Sequence, residues 1–247
     1  MNTGKYGEPH DLQVMRFNSP ITTVVVATHA GLKRAKNEDA YAVSRDGRTV
    51  VVADGMGGHE GGEKASRLTV AEISSAREGH YIDRLRFGIR AAQASVRSMN
   101  APLVEEYRRK DKGLPGAAVA AVRIAPDATS FAYGWAGDVR VWLTDQIGVE
   151  HVTRDHAIGG ALVKCIGGVE PAIENPGEYG DRLWRSDQRL VLSSDGLHSY
   201  VDEDDIAEAL RDPSREVALR RLFGLAVQAT APDNITIALV SATTRGV

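Results

Sequence analysis

Hydrophobic residues fall mainly into short runs along this chain. The runs are rich in Val, Ile, Leu and Ala and are bounded by Gly, Asp or Asn, which is the pattern of buried β-strands. The predicted strands are 21–28, 48–53, 117–124, 130–135, 139–143, 189–193 and 235–240. Each is too short and too rich in β-branched residues to favour a helix.

Four longer segments show helical patterns instead. Acidic residues open the third of them and Pro213 opens the fourth, and both features suit a helix N-terminus. The predicted helices are 61–77, 81–100, 203–211 and 214–229. Strands and helices therefore come in groups and do not alternate singly. This order favours an α+β fold with antiparallel sheets over a doubly wound parallel sheet.

Composition is that of one globular domain. The chain has 247 residues, of which 43% are hydrophobic and 26% charged. No internal repeat, low-complexity tract or Pro/Gly/Ser-rich linker divides it. We therefore expect a single domain over residues 21–243, preceded by a flexible N-terminal segment at 1–20 that contains no sustained apolar run.

Charge and cysteine content narrow the range of partners. Thirty basic and 33 acidic residues give a net charge of −3, which favours binding neither to nucleic acid nor to an anionic membrane. No segment approaches the roughly 20 apolar residues of a membrane span. A single cysteine, Cys165, excludes disulfides within the chain and a cysteine-rich metal site. A cytoplasmic location is predicted.

Aspartate recurs where apolar strands begin or end. Asp54-Gly55 ends one strand, Asp195-Gly196 ends another, and Asp233-Asn234 immediately precedes the last. A single Asp-Gly at a strand end is ordinary turn chemistry. Carboxylates from several strand ends can converge, however, and they repel one another unless a cation holds them. Oxygen ligands without Cys or paired His favour Mg²⁺ or Mn²⁺.

The glycine-rich stretch that follows Asp54 does not match the common phosphate-binding motifs. A dinucleotide fingerprint needs glycine at position 60, where Glu60 stands, and a P-loop needs lysine at position 63, where Glu63 stands. Glu63 also replaces the second histidine of a zinc-protease helix. Nucleotide binding and zinc proteolysis are therefore disfavoured.

Seven segments in order resemble the serial motifs of the metal-dependent protein phosphatases, the type 2C Ser/Thr phosphatase family, over residues 22–241. They are RAKNEDAY (34–41), VVADGMGGHEGG (51–62), the glycine at 116, WAGDVRVW (135–142), VTRDH (152–156), LVLSSDGL (190–197) and APDNITIALV (231–240). The resemblance implies an α-β-β-α fold, in which two antiparallel sheets pack face to face with helix pairs outside.

The same resemblance implies a site for two Mn²⁺ or Mg²⁺ ions. Asp54 matches the residue that bridges both ions, and Gly55 matches the residue that lends its carbonyl. Asp195 and Asp233 match the remaining protein ligands of the first ion. Asp138 matches an aspartate that, with Asp195, holds a third, weaker ion in bacterial relatives.

The resemblance also assigns roles in substrate binding. Arg34 matches the arginine that binds the phosphate, while Glu38 and Asp39 match acids that orient water at the metals. Asn234, beside the last metal ligand, is a candidate for a supporting role. The implied reaction is hydrolysis of phosphoserine or phosphothreonine in a protein by metal-activated water, without a phosphoenzyme, reversing the action of a Ser/Thr kinase.

Two departures from the family pattern leave alternatives open. Ala117-Ala118 stand where Thr-Thr is usual, and only residues 157–160 separate VTRDH from ALVKCIGG (161–168), so the usual flap is predicted to be missing. Both departures leave open a pseudophosphatase that only binds a partner. The missing flap also leaves open a phosphatase of a small phosphorylated metabolite and puts substrate preference and the role of Asp138 in doubt.

Overall fold

The fold was analysed in a computed structural model, which describes residues 3–57, 61–110, 112–159, 161–167 and 176–243. The strands are β1 (Met15–Asn18), β2 (Thr22–His29), β3 (Ala40–Val43), β4 (Thr49–Met56), β5 (Gly116–Ile124), β6 (Ser130–Ala136), β7 (Arg140–Thr144), β8 (Val149–His151), β9 (Ala157–Ile158), β10 (Ala161–Leu162), β11 (Glu178–Leu183), β12 (Arg189–Ser193) and β13 (Ile235–Ala242). The α-helices are α1 (Gly61–Ser75), α2 (Tyr81–Asn100), α3 (Val104–Arg109), α4 (Asp195–His198), α5 (Glu203–Leu210) and α6 (Arg215–Gln228).

The strands form two antiparallel sheets. The first has the order β1-β2-β13-β12-β7-β8 and the second the order β11-β6-β5-β4-β3, while β9 and β10 form a separate short hairpin. The last strand, β13, lies between β2 and β12. Strands that are far apart in the sequence, β2 and β13, therefore pair in the centre of one sheet. The predicted α+β class with antiparallel sheets is confirmed.

Both faces of each sheet are buried, and side chains that alternate along a strand therefore enter two different layers. Val24 and Val26 of β2 point into the layer between the sheets, whereas Val25 packs in the cluster formed with α5 and α6. In the second sheet, Val52 belongs to the layer between the sheets and Val51 to the cluster with α1 and α2. Two-sided burial explains why the central strands are continuous apolar runs.

The long helices cover the outer faces of the sheets. Ile73 of α1 and Ile89 of α2 pack on the second sheet, and Leu222 and Phe223 of α6 pack on the first. The result is the expected α-β-β-α order of layers. In the described ranges, none of these helices has the length and apolar character needed to cross a bilayer.

The four strands at the sheet edges were absent from the sequence prediction. They are β1 and β8 in the first sheet and β3 and β11 in the second. Most of their residues are exposed or partly exposed, as in EYGDRL of β11. An edge strand needs no continuous apolar sequence because it has a neighbour on one side only.

The N-terminal segment differs from the flexible region expected at residues 1–20. Strand β1 pairs with β2 in register, with Met15 opposite Val26. Leu12 is only 6% exposed and packs in the cluster with α6, and Arg220 of α6 pairs with buried Glu8 at 3.3 Å. The contacts of Leu12 and Glu8 with α6 join residues separated by most of the chain, so no local pattern in the sequence could reveal them.

We expect Leu12→Ala to lower the free energy of unfolding by about 2 kcal/mol, because it removes a buried side chain from the contact with α6. For a chain of this size the melting temperature should fall by about 5 °C. Met15→Ala is the control, since Met15 is 45% exposed. Equal urea midpoints for the two variants would show that residues 3–14 do not contribute to the core.

Candidate metal centre

Acidic residues from both sheets converge at one end of the sandwich. Asp54 lies near the end of β4, and Asp195 begins α4, one residue beyond the end of β12. Asp233 is separated from the start of β13 by Asn234 alone. Asp39 immediately precedes β3, and Asp138 lies between β6 and β7. Strands β4 and β6 belong to the second sheet, whereas β7, β12 and β13 belong to the first. The two sheets pack face to face, and this packing brings the five positions together.

The convergence is visible in the electrostatics of the carboxyl groups. Burial raises the pKa of Asp54 well above its ordinary value, and the nearby charges of Asp39, Asp195 and Asp138 raise it further. Burial, followed by the charges of Asp138 and Asp233, raises the pKa of Asp195 to about 6. Burial likewise raises the pKa of Asp39. These carboxyl groups cannot all be ionised cheaply without a cation.

Several acidic oxygens in this group are buried without a hydrogen-bond donor. Among the described residues, Asp39 Oδ1, Asp195 Oδ1 and Glu38 Oε1 have no partner. A buried acceptor without a partner is unfavourable, and a hard divalent cation would satisfy it. The donor set, which is all oxygen, fits Mg²⁺ or Mn²⁺ better than zinc.

The carboxylates are nevertheless not in the positions of a closed metal cage. In the part of the chain that the structure describes, no three Asp, Glu, His or Cys side chains form a ready metal-binding group. Asp233 Oδ2 instead accepts a hydrogen bond from Arg34 Nη2 at 2.7 Å. The Arg34 side chain remains 55% exposed, so its other N–H groups can reach an anion from solvent.

Asn234 holds the loop that carries the predicted phosphate-binding residues. Its Oδ1 accepts a hydrogen bond from Glu38 N at 2.8 Å, and its Nδ2 donates to the carbonyls of Ala30 and Lys36 at 3.0 and 2.9 Å. All three bonds are to the main chain on either side of Arg34. Asn234 therefore positions this loop beside the carboxylates. Positioning of the loop is the form that its predicted supporting role would take.

Ser194 contacts the acidic cluster, and sequence reasoning missed this residue. Its hydroxyl donates to Asp39 Oδ2 at 2.8 Å and accepts from Thr236 N at 2.9 Å. It thereby fixes Asp39 against the ends of β12 and β13. The pair of serines in LVLSSDGL is the only signal in the sequence that could have indicated this contact.

His198 was also missed, and it links two of the acidic segments. Burial lowers its pKa to about 3, so the ring is neutral. Its N–H donates to the main-chain carbonyl of Asp138. The other ring nitrogen, Nδ1, then accepts from Ser193 Oγ at 3.1 Å, and Ser193 accepts from Trp142 Nε1 at 3.0 Å. The helix that starts at Asp195 is thus fixed to the loop of Asp138.

Comparisons with known proteins identify the family. A sequence model described as "Protein phosphatase 2C" matches residues 28–222. The chain belongs to the protein phosphatase 2C family. A "Putative protein phosphatase 2C-type" of Streptococcus pyogenes is 30% identical over 242 residues, covering 88% of this chain and 96% of that protein.

Two further relatives are similar in sequence to this chain. The protein phosphatase PhpP of Streptococcus pneumoniae is 28% identical over 246 residues, covering 88% of this chain and 96% of PhpP. The serine/threonine protein phosphatase PstP of Mycobacterium tuberculosis is 28% identical over 233 residues, covering 84% of this chain and 42% of PstP. The match with PstP therefore spans less than half of that longer protein.

Solved structures share the fold. The catalytic domain of PstP in complex with two manganese ions superposes with a TM-score of 0.78 at 25% identity, covering 90% of this chain and 99% of that one. PppA of Pseudomonas aeruginosa superposes with a TM-score of 0.78 at 23% identity, covering 93% and 100%. The two-sheet architecture is thus that of the phosphatase 2C family.

Close main-chain contacts require glycine at two positions next to the acidic residues. A Cβ on Gly55 would lie 2.3 Å from the carbonyl oxygen of Gly62 and 2.5 Å from that of Glu38. A Cβ on Gly196 would lie 1.9 Å from the carbonyl oxygen of Asn234. Gly55 therefore has a packing role in addition to the carbonyl role implied by the resemblance.

The two departures from the family pattern lie beside the site. Ala118 stands opposite Asp54 and Ala117 opposite Gly55 in the β4–β5 ladder, so methyl groups replace hydroxyls there. Strands β9 and β10 occupy the region where relatives carry a flap. Residues 160 and 168–175, like the His59-Glu60 pair, lie outside the described residues, and the absence of a flap stays a prediction.

Without metal, the protein should lose stability as the pH rises. A folded-state pKa above the unfolded value means that protonation favours the folded state. That stabilisation is full below the unfolded pKa and is lost as the pH rises through the folded pKa, about 6 for Asp195. We expect Asp54→Asn, which removes one buried charge, to raise the melting temperature in EDTA at pH 8 by about 5 °C.

At pH 5 the same variant should differ less from wild type. Asp181→Asn is the control, because Asp181 is exposed on an edge strand far from the carboxylates. Thermal melts at both pH values measure the effect. A melting temperature of Asp54→Asn equal to that of wild type at pH 8 would mean that the carboxyl groups do not repel one another.

Asn234→Ala should weaken both the loop and the metal site. It removes three hydrogen bonds to partly buried main-chain groups, so we expect a loss of about 2 kcal/mol in stability. Mn²⁺ affinity, measured by calorimetry, should fall about tenfold because the loop supports the site only indirectly. Asn18→Ala, on an edge strand, is the control. Wild-type Mn²⁺ affinity in Asn234→Ala would refute the positioning role.

Proposed function

We propose that this protein is a Mn²⁺- or Mg²⁺-dependent phosphatase that hydrolyses phosphoserine and phosphothreonine in proteins. The observation that carries the proposal is a set of buried carboxyl groups with raised pKa values and unpaired oxygens, next to an exposed arginine. Family membership and the names of the relatives, which include serine/threonine protein phosphatases, support the same reaction.

The residues that would hold the ions are those at the converging strand ends. Asp54, Asp195 and Asp233 would hold the ions through their carboxylates, and Gly55 would lend its carbonyl. Asp138, with Asp195, would hold a third. Bound there, divalent ions lower the pKa of water and neutralise the charge of a phosphate monoester. Asp233 must then share its carboxylate between an ion and Arg34.

Arg34 would bind the substrate phosphate. A guanidinium can donate two parallel N–H bonds to phosphate oxygens, which a lysine cannot. The pair with Asp233 holds one side of the guanidinium, and the exposed side faces solvent. Arg34 can therefore bind a phosphate group that arrives from outside while remaining anchored to the acidic cluster.

Glu38 and Asp39 would accept hydrogen bonds from water beside the phosphate. Each has one buried oxygen without a protein donor. Ser194 and Asn234 fix the orientation of the two residues, through the Asp39 side chain and the Glu38 main chain. Water would then attack phosphorus directly while the bond between phosphorus and the serine or threonine oxygen breaks. That oxygen would take a proton from water and leave as the free hydroxyl, so the protein need not supply a covalent nucleophile.

The physiological substrate would be a phosphoprotein made by a Ser/Thr kinase, in the cytoplasm. Ala117 and Ala118 favour the alternative of a catalytically weak protein that binds a partner, because they remove hydroxyls next to Asp54 and Gly55. The acidic cluster is complete despite them, and a protein that only docked a partner would have no use for buried repelling charges. A small phosphorylated metabolite is the other alternative substrate.

Hydrolysis of an aryl phosphate tests the metal-dependent reaction. We expect activity with Mn²⁺, loss of activity in EDTA, and a decrease of at least about a hundredfold in Asp54→Ala and Asp233→Ala, since metal ligation contributes several kcal/mol. Asp181→Ala is the control carboxylate.

Activity that survives both EDTA and the substitutions would contradict the mechanism, and no activity with any divalent metal would favour the binding protein. Comparing kcat/KM for phosphoserine peptides with that for small phosphate esters then assigns the substrate class. Preference for the small esters would contradict the protein substrate.

A further inference from the structure

A polar cavity lies at the end of the second sheet opposite to the acidic cluster. It has a volume of about 490 Å³, and four arginines and two serines line it: Ser44, Arg45, Ser74, Arg77, Arg84 and Arg123. We call it the arginine pocket. Arg123 contacts Thr49 at the start of β4, and Asp54 lies five residues further along that strand, about 17 Å away. The pocket is therefore separate from the proposed catalytic centre.

Arg123 forms the base of the arginine pocket. Its side chain is only 2% exposed, donates to Asp46 Oδ2 at 2.9 Å and contacts the hydroxyl of Thr49. Its Nε is buried and has no hydrogen-bond partner among the described residues. Burial and the positive charges of Arg48 and Arg84 lower its pKa. An internal cation with an unsatisfied donor is unfavourable unless negative charge lies close to it.

The protein itself supplies too little negative charge there. Asp46 is the one acidic residue among the described residues lining the pocket, and it already pairs with Arg48 at 3.1 Å as well as with Arg123. Within the described ranges, no ion pair is formed by Arg45 or Arg77. Structural arginines normally have carboxylate partners, so this excess of positive charge needs another explanation.

The chemistry of the lining fits a phosphate group. Guanidinium groups bind phosphate oxygens through paired N–H donors, and the hydroxyls of Ser44 and Ser74 can add further bonds. The volume is in the range of small-molecule sites and exceeds that of one phosphate ion. The lining contains no apolar side chain larger than Ala76, so a protein segment would find little hydrophobic contact there.

We propose that the arginine pocket binds the phosphate group of a small phosphorylated molecule, at a site distinct from the acidic cluster. The residues come from the β3–β4 turn, the end of α1, the start of α2 and the end of β5, so they surround the cavity from several sides. Arg77 and Arg84 provide accessible donors, and Arg123 supplies the buried positive charge beneath them.

Inorganic pyrophosphate is a suitable probe for this site. Calorimetric titration into the full chain, in 150 mM salt and excess EDTA, should show one binding site per chain. EDTA keeps metal ions from attracting the probe to the acidic cluster, whose own charge repels it. Arg77→Gln and Arg84→Gln should each weaken binding about tenfold or more, because each removes a charge-assisted hydrogen bond to the probe.

Two variants serve as matched controls. Arg97→Gln removes the same charge from an exposed position of α2 that does not line the pocket, and Arg34→Gln removes the arginine of the acidic cluster. Both should bind pyrophosphate as wild type does. Thermal melts of all four variants show whether each is folded, so that a weakened affinity can be assigned to the pocket.

Three results would overturn the proposal. The first is the absence of measurable binding up to millimolar pyrophosphate. The second is a loss of binding in Arg34→Gln but not in Arg77→Gln, which would place the probe at the acidic cluster. The third is a phosphoserine peptide that binds the pocket more tightly than pyrophosphate, which would replace the small molecule by a protein ligand.

Discussion

Repulsion among buried carboxyl groups at one end of the sandwich is the constraint on which the rest of this structure depends. Asp54 and Asp195 have raised pKa values because burial and their neighbours both oppose ionisation. A mobile loop would relieve the repulsion by moving the charges apart. The two packed sheets prevent this, because each aspartate is attached to a strand whose two faces are buried. Rigidity therefore keeps the carboxyl groups close together, where their repulsion persists unless a cation offsets it.

Hydrogen bonds around the carboxylates extend that rigidity into the connecting segments. Asn234 fixes the loop of Arg34 and Glu38, Ser194 orients Asp39, and His198 joins the Asp195 helix to the loop of Asp138. None of these three side chains would itself need to contact a metal. They act by holding main-chain groups and acidic side chains in place, so that the acidic oxygens stay close to one another.

The central strands and the long helices could be predicted from the sequence with small errors at their ends. Two-sided burial makes strands such as β2 and β4 continuous apolar runs, and that signal is local. The edge strands β1, β3, β8 and β11 could not be predicted, because partial exposure allows polar residues in them. The site shows the same division. Asp54, Asp195 and Asp233 stand out beside apolar runs, whereas nothing around His198 indicates that it supports acidic residues.

The sequence by itself determined the class of fold, the family and the positions of the acidic residues, because strand periodicity and ordered motifs are properties of neighbouring residues. Tertiary structure alone decided how the N-terminal segment packs on α6, and that Arg34 pairs with Asp233 across 199 positions. It also assembled the arginine pocket from four separate elements. The physical reason is that charge balance, burial and hydrogen bonding depend on distance in space, which the order of residues along the chain does not record.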